Sequence, residues 1–374
     1  MPFYYERFSN NAITTLAASI SASDTTIHVD NPANFPDKAP FRIIIEDEIM
    51  RVTNRSGALF TVERGVEDTA AVSHNAGVNV AHVVTKQSFL NSFEFNEHAN
   101  CRLSFSQTQP YQVEGSGSTL YAVPVGGNKV SLLDIGDGHW RNHAIESGIP
   151  LGLGGFASGD IVDVFVYYDE ANHRLALDAK AWSSSSTRNP IYDLVVGSGV
   201  EVRVDNHGYR YLGTLAMWNT GQGINHPKRR FLWNRYNQIP LQLYHRHNFI
   251  SYTYSTNLVR WLNNNQDNRV EFVCGLDNGS YFQVDCCVYI FQSTSSTTVY
   301  TLGLGYDTDI TMTSKILGAG FGYYSTLQVL TWHADWAAKG RHYLQALERA
   351  AASVTVYGSN GVNYQGGIYG YVMG

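Results

Sequence analysis

IVDVFVYYDEANHRLALDAKAW, residues 161–182, decides the fold class. Two runs rich in β-branched, aromatic and aliphatic residues flank Asp169-Glu170-Ala171-Asn172, a turn-like tetrad, and together predict a β-hairpin. In the second run Leu175, Leu177, Ala179 and Ala181 face one way and Arg174, Asp178 and Lys180 the other. A second hairpin is expected from VEVRVD (200–205) and YRYLGTL (209–215), turning at Asn206-His207-Gly208.

The pattern extends both ways. Toward the C-terminus, RVEFVCGL, YFQVDCCVYIFQ, TTVYTLGLGY, YYSTLQVLTWH, SVTVYG and GIYGYVMG are short strands with frequent Gly turns, the mark of a sandwich. RHYLQALERAAA (341–352) is rich in helix formers, yet its continuation into SVTVYG favours a strand. Toward the N-terminus, TTIHV puts Thr25, Ile27 and Val29 on one face. FRIIIEDEIMRV reads as two strands turning near Asp47-Glu48, ALFTVERG as another, and Pro32, Pro36 and Pro40 mark a loop. In TKQSFLNSFEFNEHAN, Phe89, Leu90 and Phe93 have helical spacing behind a candidate N-cap at Thr85. The chain is thus expected to be all-β. It divides into a small N-terminal β domain (1–90), a linker or short helix (91–110), a β-rich middle domain (111–243) and a jelly-roll-like C-terminal β-sandwich (244–374). No repeat of 20–50 residues is evident.

Composition narrows the function classes. With 374 residues and a net charge of -6, the chain lacks the basic balance of a general polyanion binder. Charged residues make up 16%, against about 25% in ordinary globular proteins, while 44% are hydrophobic. That balance suits an obligate oligomer with much of its surface covered by protein. The start, MPFYYERFSNNA, is no secretory signal, and no run of 18 apolar residues occurs, so a soluble protein made in a cytoplasm is expected. Cys101, Cys274, Cys286 and Cys287 lack Cys-x-x-Cys spacing and read as free buried thiols.

Catalytic motifs are absent. There is no Gly-x-Ser-x-Gly elbow, Walker loop, His-Glu-x-x-His or EF-hand, and GSGST (115–119) reads as a loop. DIGDGHW places Asp134, Asp137 and His139 in a Gly-rich turn, read as solvated. Two carboxylates meeting in space as a glycosidase pair are beyond what spacing can exclude. His245 and His247 share a strand face; in a threefold assembly six such imidazoles could surround an axial transition metal. The bland reading is a hydrogen-bonded pair. The 24 tyrosines and seven tryptophans could stack on sugar rings, but core and interface use is the commoner role.

KRRFLWNRYNQIP (228–240) is the densest basic-aromatic stretch. As a strand it sends Phe231, Trp233 and Arg235 one way and Arg230, Leu232, Asn234 and Tyr236 the other, so neither face is a solvent face. The chain has 19 Arg and 7 Lys, and Arg suits dry junctions where it stacks and pairs. Arg230, Phe231, Trp233, Arg235 and Tyr236 are therefore expected at a domain or subunit interface, with no nucleic acid bound.

These residues also carry a resemblance. TTLAASISASDTTIHVDNPANFP, FRIIIEDEIMRVT and LFTVERGVEDTAAVSHNAGVNVAHVVTKQSF resemble a module at the start of tailed-bacteriophage virion proteins. The match is carried by Phe35-Pro36, Val62, Arg64-Gly65, Glu67, Thr69, Ala81-His82 and Thr85. Asp163 to Tyr167, Ala181-Trp182, Arg210 to Thr214 and Arg230 to Asn237 resemble a second phage module; the second Arg and the following Gln-Ile depart from it slightly. The resemblance implies a structural virion protein: a homotrimeric fibre-type appendage docked by its N-terminal part. Its partners would be other virion proteins of tail, baseplate or capsid and a host-surface glycan, with no cofactor and no membrane insertion. Tail placement is preferred to head. The alternatives are a capsid decoration or head-fibre protein without receptor binding, and a host polysaccharide depolymerase.

Overall fold

The 161–182 stretch forms the expected hairpin. Strand Ile161–Asp169 pairs antiparallel with Arg174–Ala181, Val162 opposite Ala181 and Asp169 opposite Arg174. Asp169 organises the turn: its Oδ1 accepts the N–H of Ala171 at 3.1 Å, and its Oδ2 accepts from the Asn172 side chain at 2.7 Å. This computed structural model describes residues 6–88, 99–136, 138, 140–184, 187–188, 192–194, 199–291, 299–314, 318–320, 326–359 and 365–374. The fold is all-β. Among the described residues no helix is long and apolar enough to cross a membrane.

Two compact units form. One comprises 1–96 with segments 134–141 and 196–199; the other comprises 97–133, 142–195 and 200–374. The first holds a six-stranded sheet in the order Ile13–Thr15, Asn79–His82, Phe41–Ile45, Glu48–Ser56, Leu59–Glu63, Thr26–His28. The paired strands expected in FRIIIEDEIMRV turn at Glu46-Asp47, with Ile45 opposite Glu48. Phe35, Phe41 and Phe60 meet within 5.4–6.2 Å at the centre of its core. Thr85 caps as expected, its Oγ1 accepting the Ser88 N–H at 3.1 Å. Phe89, Leu90 and Phe93 lie outside the described residues.

The second unit has two hydrophobic cores with a shared wall. Strands Ile161–Asp169, Asn206–Asn219 and Leu232–Asn234 lie side by side, Val162 opposite Leu215 and Leu215 opposite Leu232. Val162, Val164, Leu212, Leu215 and Leu232 enter one core, which Leu103, Leu120 and Leu132 complete. Ile161, Phe165, Tyr211, Phe231 and Trp233 enter the other. That second core is the interior of a sandwich. One sheet runs Pro240–Arg246, Gly367–Met373, Ser280–Phe291, with Thr326–Ala337 on the far edge of Ser280–Phe291. Arg269–Cys274, Gly340–Ala350 and Tyr300–Tyr306 form the opposing layer, joined to the first through Phe272 against Phe282 at 5.2 Å. The long strands Arg269–Cys274, Ser280–Phe291, Tyr300–Tyr306, Thr326–Ala337 and Gly340–Ala350 fall alternately in the two layers.

Several boundaries differ from expectation. Residues 91–110 contain the fully buried strand Cys101–Ser104, paired with Thr119–Pro124, where a linker or helix was expected. GSG of 115–117 is a strand on Gln222–His226 rather than a loop; the close approach of Phe105 and Gln112 to Gly115 leaves little room for a side chain. The second hairpin turns at Val204-Asp205, ahead of Asn206-His207-Gly208, because Arg203 pairs directly with Asn206 across a register shift. No division falls at 243/244. Pro240–Arg246 runs through it and pairs with the C-terminal strand, and Arg229–Arg230 pairs in parallel with Glu271 and Phe272. Gly340–Ala350 is a strand despite its helix formers, since long-range pairing on both edges overrides local propensity.

The shared wall predicts an energetic asymmetry. Trp233 is 1% exposed, fills the space above Gly275, and donates Nε1–H to Ser280 Oγ at 2.6 Å. Trp233→Ala should cost about 3–5 kcal/mol, read as a lowered Tm of the second unit. Lys228→Ala removes an ion pair with the exposed Asp267 and should cost about 1 kcal/mol or less. Equal melts for both variants would contradict this assignment.

Candidate functional site

Every basic residue of the 228–240 stretch is engaged within the chain. Arg229 lies 4.0 Å over the Trp218 ring and 3.4 Å from Glu271. Arg230 donates to the carbonyls of Gln242, at 2.7 Å, and Val113, and burial pulls its guanidinium down to about 10. Arg235 donates Nε–H to Glu201 at 2.9 Å. Tyr236 stacks under Arg210, whose guanidinium carbon is 4.8 Å from the ring centre. Asn234 and Asn237 reach back to Leu103, Ala99 and Cys101, tying the stretch to the strand Cys101–Ser104.

The structure places this stretch at a junction inside one chain. Arg230, Phe231 and Trp233 are at most 2% exposed in a single chain, so a second subunit cannot pack on them. With Arg235 and Tyr236 they form a junction between two cores of one chain. The two histidines of the axial-metal reading lie on the inward face of their strand. His245 pairs with Ile368, which faces the sandwich interior, and His247 is 0% exposed with Nε2 3.6 Å from Cys286 Sγ. Burial holds His245 down to about 4 and His247 down to about 3, keeping both neutral. Among the described residues no group of three or more His, Cys, Asp or Glu is placed to hold a metal. All four cysteines are buried and free.

Two of the N-terminal signature residues, Arg64 and Gly65, converge on one carboxylate. Glu48 is 1% exposed and accepts Arg64 Nε–H at 2.7 Å, Arg64 Nη2–H at 2.9 Å, and the N–H groups of Gly65 at 2.9 Å and Val72 at 3.1 Å. His74 places Nε2 2.9 Å from Glu48 and Nδ1 2.7 Å from Glu46. Arg64 also donates to the carbonyls of Ser21, Asp24 and Val72. Gly65 sits at φ 56°, and a side chain there would collide with the backbone of Thr69 and Ala71. Glu67 ion-pairs with Arg42 and accepts from Thr85 Oγ1 at 2.7 Å. The Arg-Gly-x-Glu-x-Thr run is therefore the latch of this unit's loop. Burial alone would raise Glu48; the donors of Arg64 and His74 and the two N–H groups overcome it and hold it at about 2.

Of DIGDGHW, Asp137 and His139 lie outside the described residues; Asp134 pairs with Arg141 at 2.8 Å. The buried carboxylates of the second unit are each met by arginine: Asp163 by Arg188, Glu201 by Arg235, Glu271 by Arg341, Glu348 by Arg260. Sequence reasoning missed the outer face of the sheet that contains Ser280–Phe291. Tyr281, Gln283, Asp285, Cys287 and Tyr289 alternate there with the buried Phe282, Val284, Cys286 and Val288. Period-two alternation in YFQVDCCVY carries that signal. The rows across strands become visible only once register is known.

No family model and no curated protein sequence matches the chain. Among solved structures, it is similar at 9% identity to the functional form of the mosquito-larvicidal Cry4Aa toxin from Bacillus thuringiensis, over 72% of this chain and 51% of that one, with a TM-score of 0.16. It is similar at 10% identity to infectious bursal disease virus Gx strain, over 98% of this chain and 70% of that one, with a TM-score of 0.17. The chain spans about half the length of the toxin structure.

Acid should weaken both units. His247 has a lower affinity for protons folded than unfolded, so stability is lost as pH falls below 6.5 toward 3. Glu48 adds a second loss in the first unit as pH falls from 4.5 toward 2. In thermal melts between pH 7.5 and 5, His247→Asn should flatten the pH dependence of the second unit. An unchanged slope would contradict the buried, neutral assignment.

Proposed function

We propose that the chain is a structural protein of a tailed-phage virion, a homotrimeric fibre-type appendage held on the particle by its N-terminal unit. Its distal β domains are available for host-surface adhesion. The observation that carries this reading is the way the residues of the phage-module resemblance are used. Arg64, Gly65, Glu67, Thr69 and Thr85 knit a loop inside a unit with its own sheet and core, which suits a transferable docking module.

Low charge supports association, although the 228–240 stretch no longer bears on it. At 16% charged residues the surface is poor in the groups that keep monomers apart, and large apolar side chains such as Ile250, Leu258 and Ile310 stand 65–76% exposed. In solution, light scattering should give the mass of three 41.6 kDa chains. A single-chain mass would contradict the trimer. Particles assembled with a chain lacking residues 1–90 should carry almost none of it, and normal incorporation would place attachment elsewhere.

A further inference from the structure

The outer face of the C-terminal sheet has a composition suited to one kind of ligand. Across four adjacent strands the register sets Tyr244 opposite Tyr369, Tyr369 opposite Asp285, and Asp285 opposite Trp332. The next row is Gln242, Tyr371, Gln283 and Ala334. Beyond it Tyr281 meets Trp336 edge-on at 5.6 Å and lies 6.3 Å from Tyr371. Trp336 is 57% exposed and Leu330, on the other flank, 53%. With strands about 4.8 Å apart, the row from Tyr244 to Trp332 covers about 14 Å.

Asp285 lies inside this aromatic field. Its carboxylate has no hydrogen-bond or ion-pair partner among the described residues, and partial burial alone raises its pKa. A second copy of the chain packed here would have to bring a donor to that carboxylate or bury it unpaired at a cost. Anionic ligands would meet its charge. A neutral sugar suits both features: its C–H face lies on Trp and Tyr rings, and its hydroxyls donate to the carboxylate in charge-assisted hydrogen bonds. The amides of Gln242 and Gln283 can both donate and accept beside it.

We infer that this face, centred on Asp285, Trp332 and Tyr369, is a binding platform for an extended neutral oligosaccharide. The inference rests on the adhesion reading given above and assigns it a place and a ligand class.

The test uses the full chain on an array of neutral hexose and N-acetylhexosamine oligosaccharides printed beside uronic-acid and sialic-acid analogues. Wild-type protein should bind at least one neutral oligosaccharide. Trp332→Ala and Asp285→Asn should each weaken that binding at least tenfold while keeping the wild-type melt and the wild-type mass by light scattering. Absence of neutral binding by the wild type, preference for the anionic analogues, or binding that survives both substitutions would overturn it. So would a changed mass for either variant, which would make the face a subunit contact. Particle incorporation separates this inference from the virion reading. Normal incorporation of a wild-type chain that binds no neutral sugar sinks the platform alone, whereas a wild-type chain absent from particles sinks the appendage reading.

Discussion

The larger unit depends on a strand crossing in which consecutive side chains serve different cores. Phe231 and Trp233 enter the sandwich, and Leu232 between them enters the middle core. A strand with two apolar faces is stable only when both are covered, and here sheets of one chain cover both. The polar groups that must pass through this dry wall are satisfied inside it. Trp233 Nε1–H reaches Ser280, which in turn donates to the Met373 carbonyl at 2.6 Å, and Asn234 accepts the Leu103 N–H at 2.6 Å. One short stretch thus ties the strand Cys101–Ser104, the sandwich and the C-terminal strand together.

The same constraint explains the use of arginine. Glu201, Glu271 and Glu348 are almost fully buried, and each is met by a guanidinium that also lies over an aromatic ring: Arg235 on Tyr236, Arg341 on Phe231, Arg260 on Tyr254. A planar, weakly hydrated cation can do both at once, where an ammonium cannot. The N-terminal unit repeats the pairing around Glu48, with Arg64 and His74. The outer sheet face departs from it, since Asp285 has aromatic neighbours and, among the described residues, no ion-pair partner.

Much of the architecture was legible because period-two alternation is local. The hairpin at 161–182 and the two-faced character of 229–237 could both be read from neighbouring residues. The missing division at 243/244 could not, because it follows from pairings across large sequence distances: His245 with Ile368, Arg230 with Phe272. KRRFLWNRYNQIP reads as a junction from its own residues. Whether its partner was another subunit or the same chain depends on those pairings. The histidines illustrate the same limit: His245 and His247 do share a face, but only register shows that the face points inward. The outer row of Tyr244, Tyr369, Asp285 and Trp332 is spread over four strands and has no signature in any one of them.

If the wall at 232–234 unites both cores, the second unit must open as one body. Native-state hydrogen exchange against denaturant tests this most directly. Amides of Leu103, Val164 and Leu215 on one side, and of Phe272, Val284 and Leu344 on the other, should converge on one opening free energy and one m-value. Two separate isotherms, with the middle strands opening while the sandwich stays protected, would contradict the shared wall.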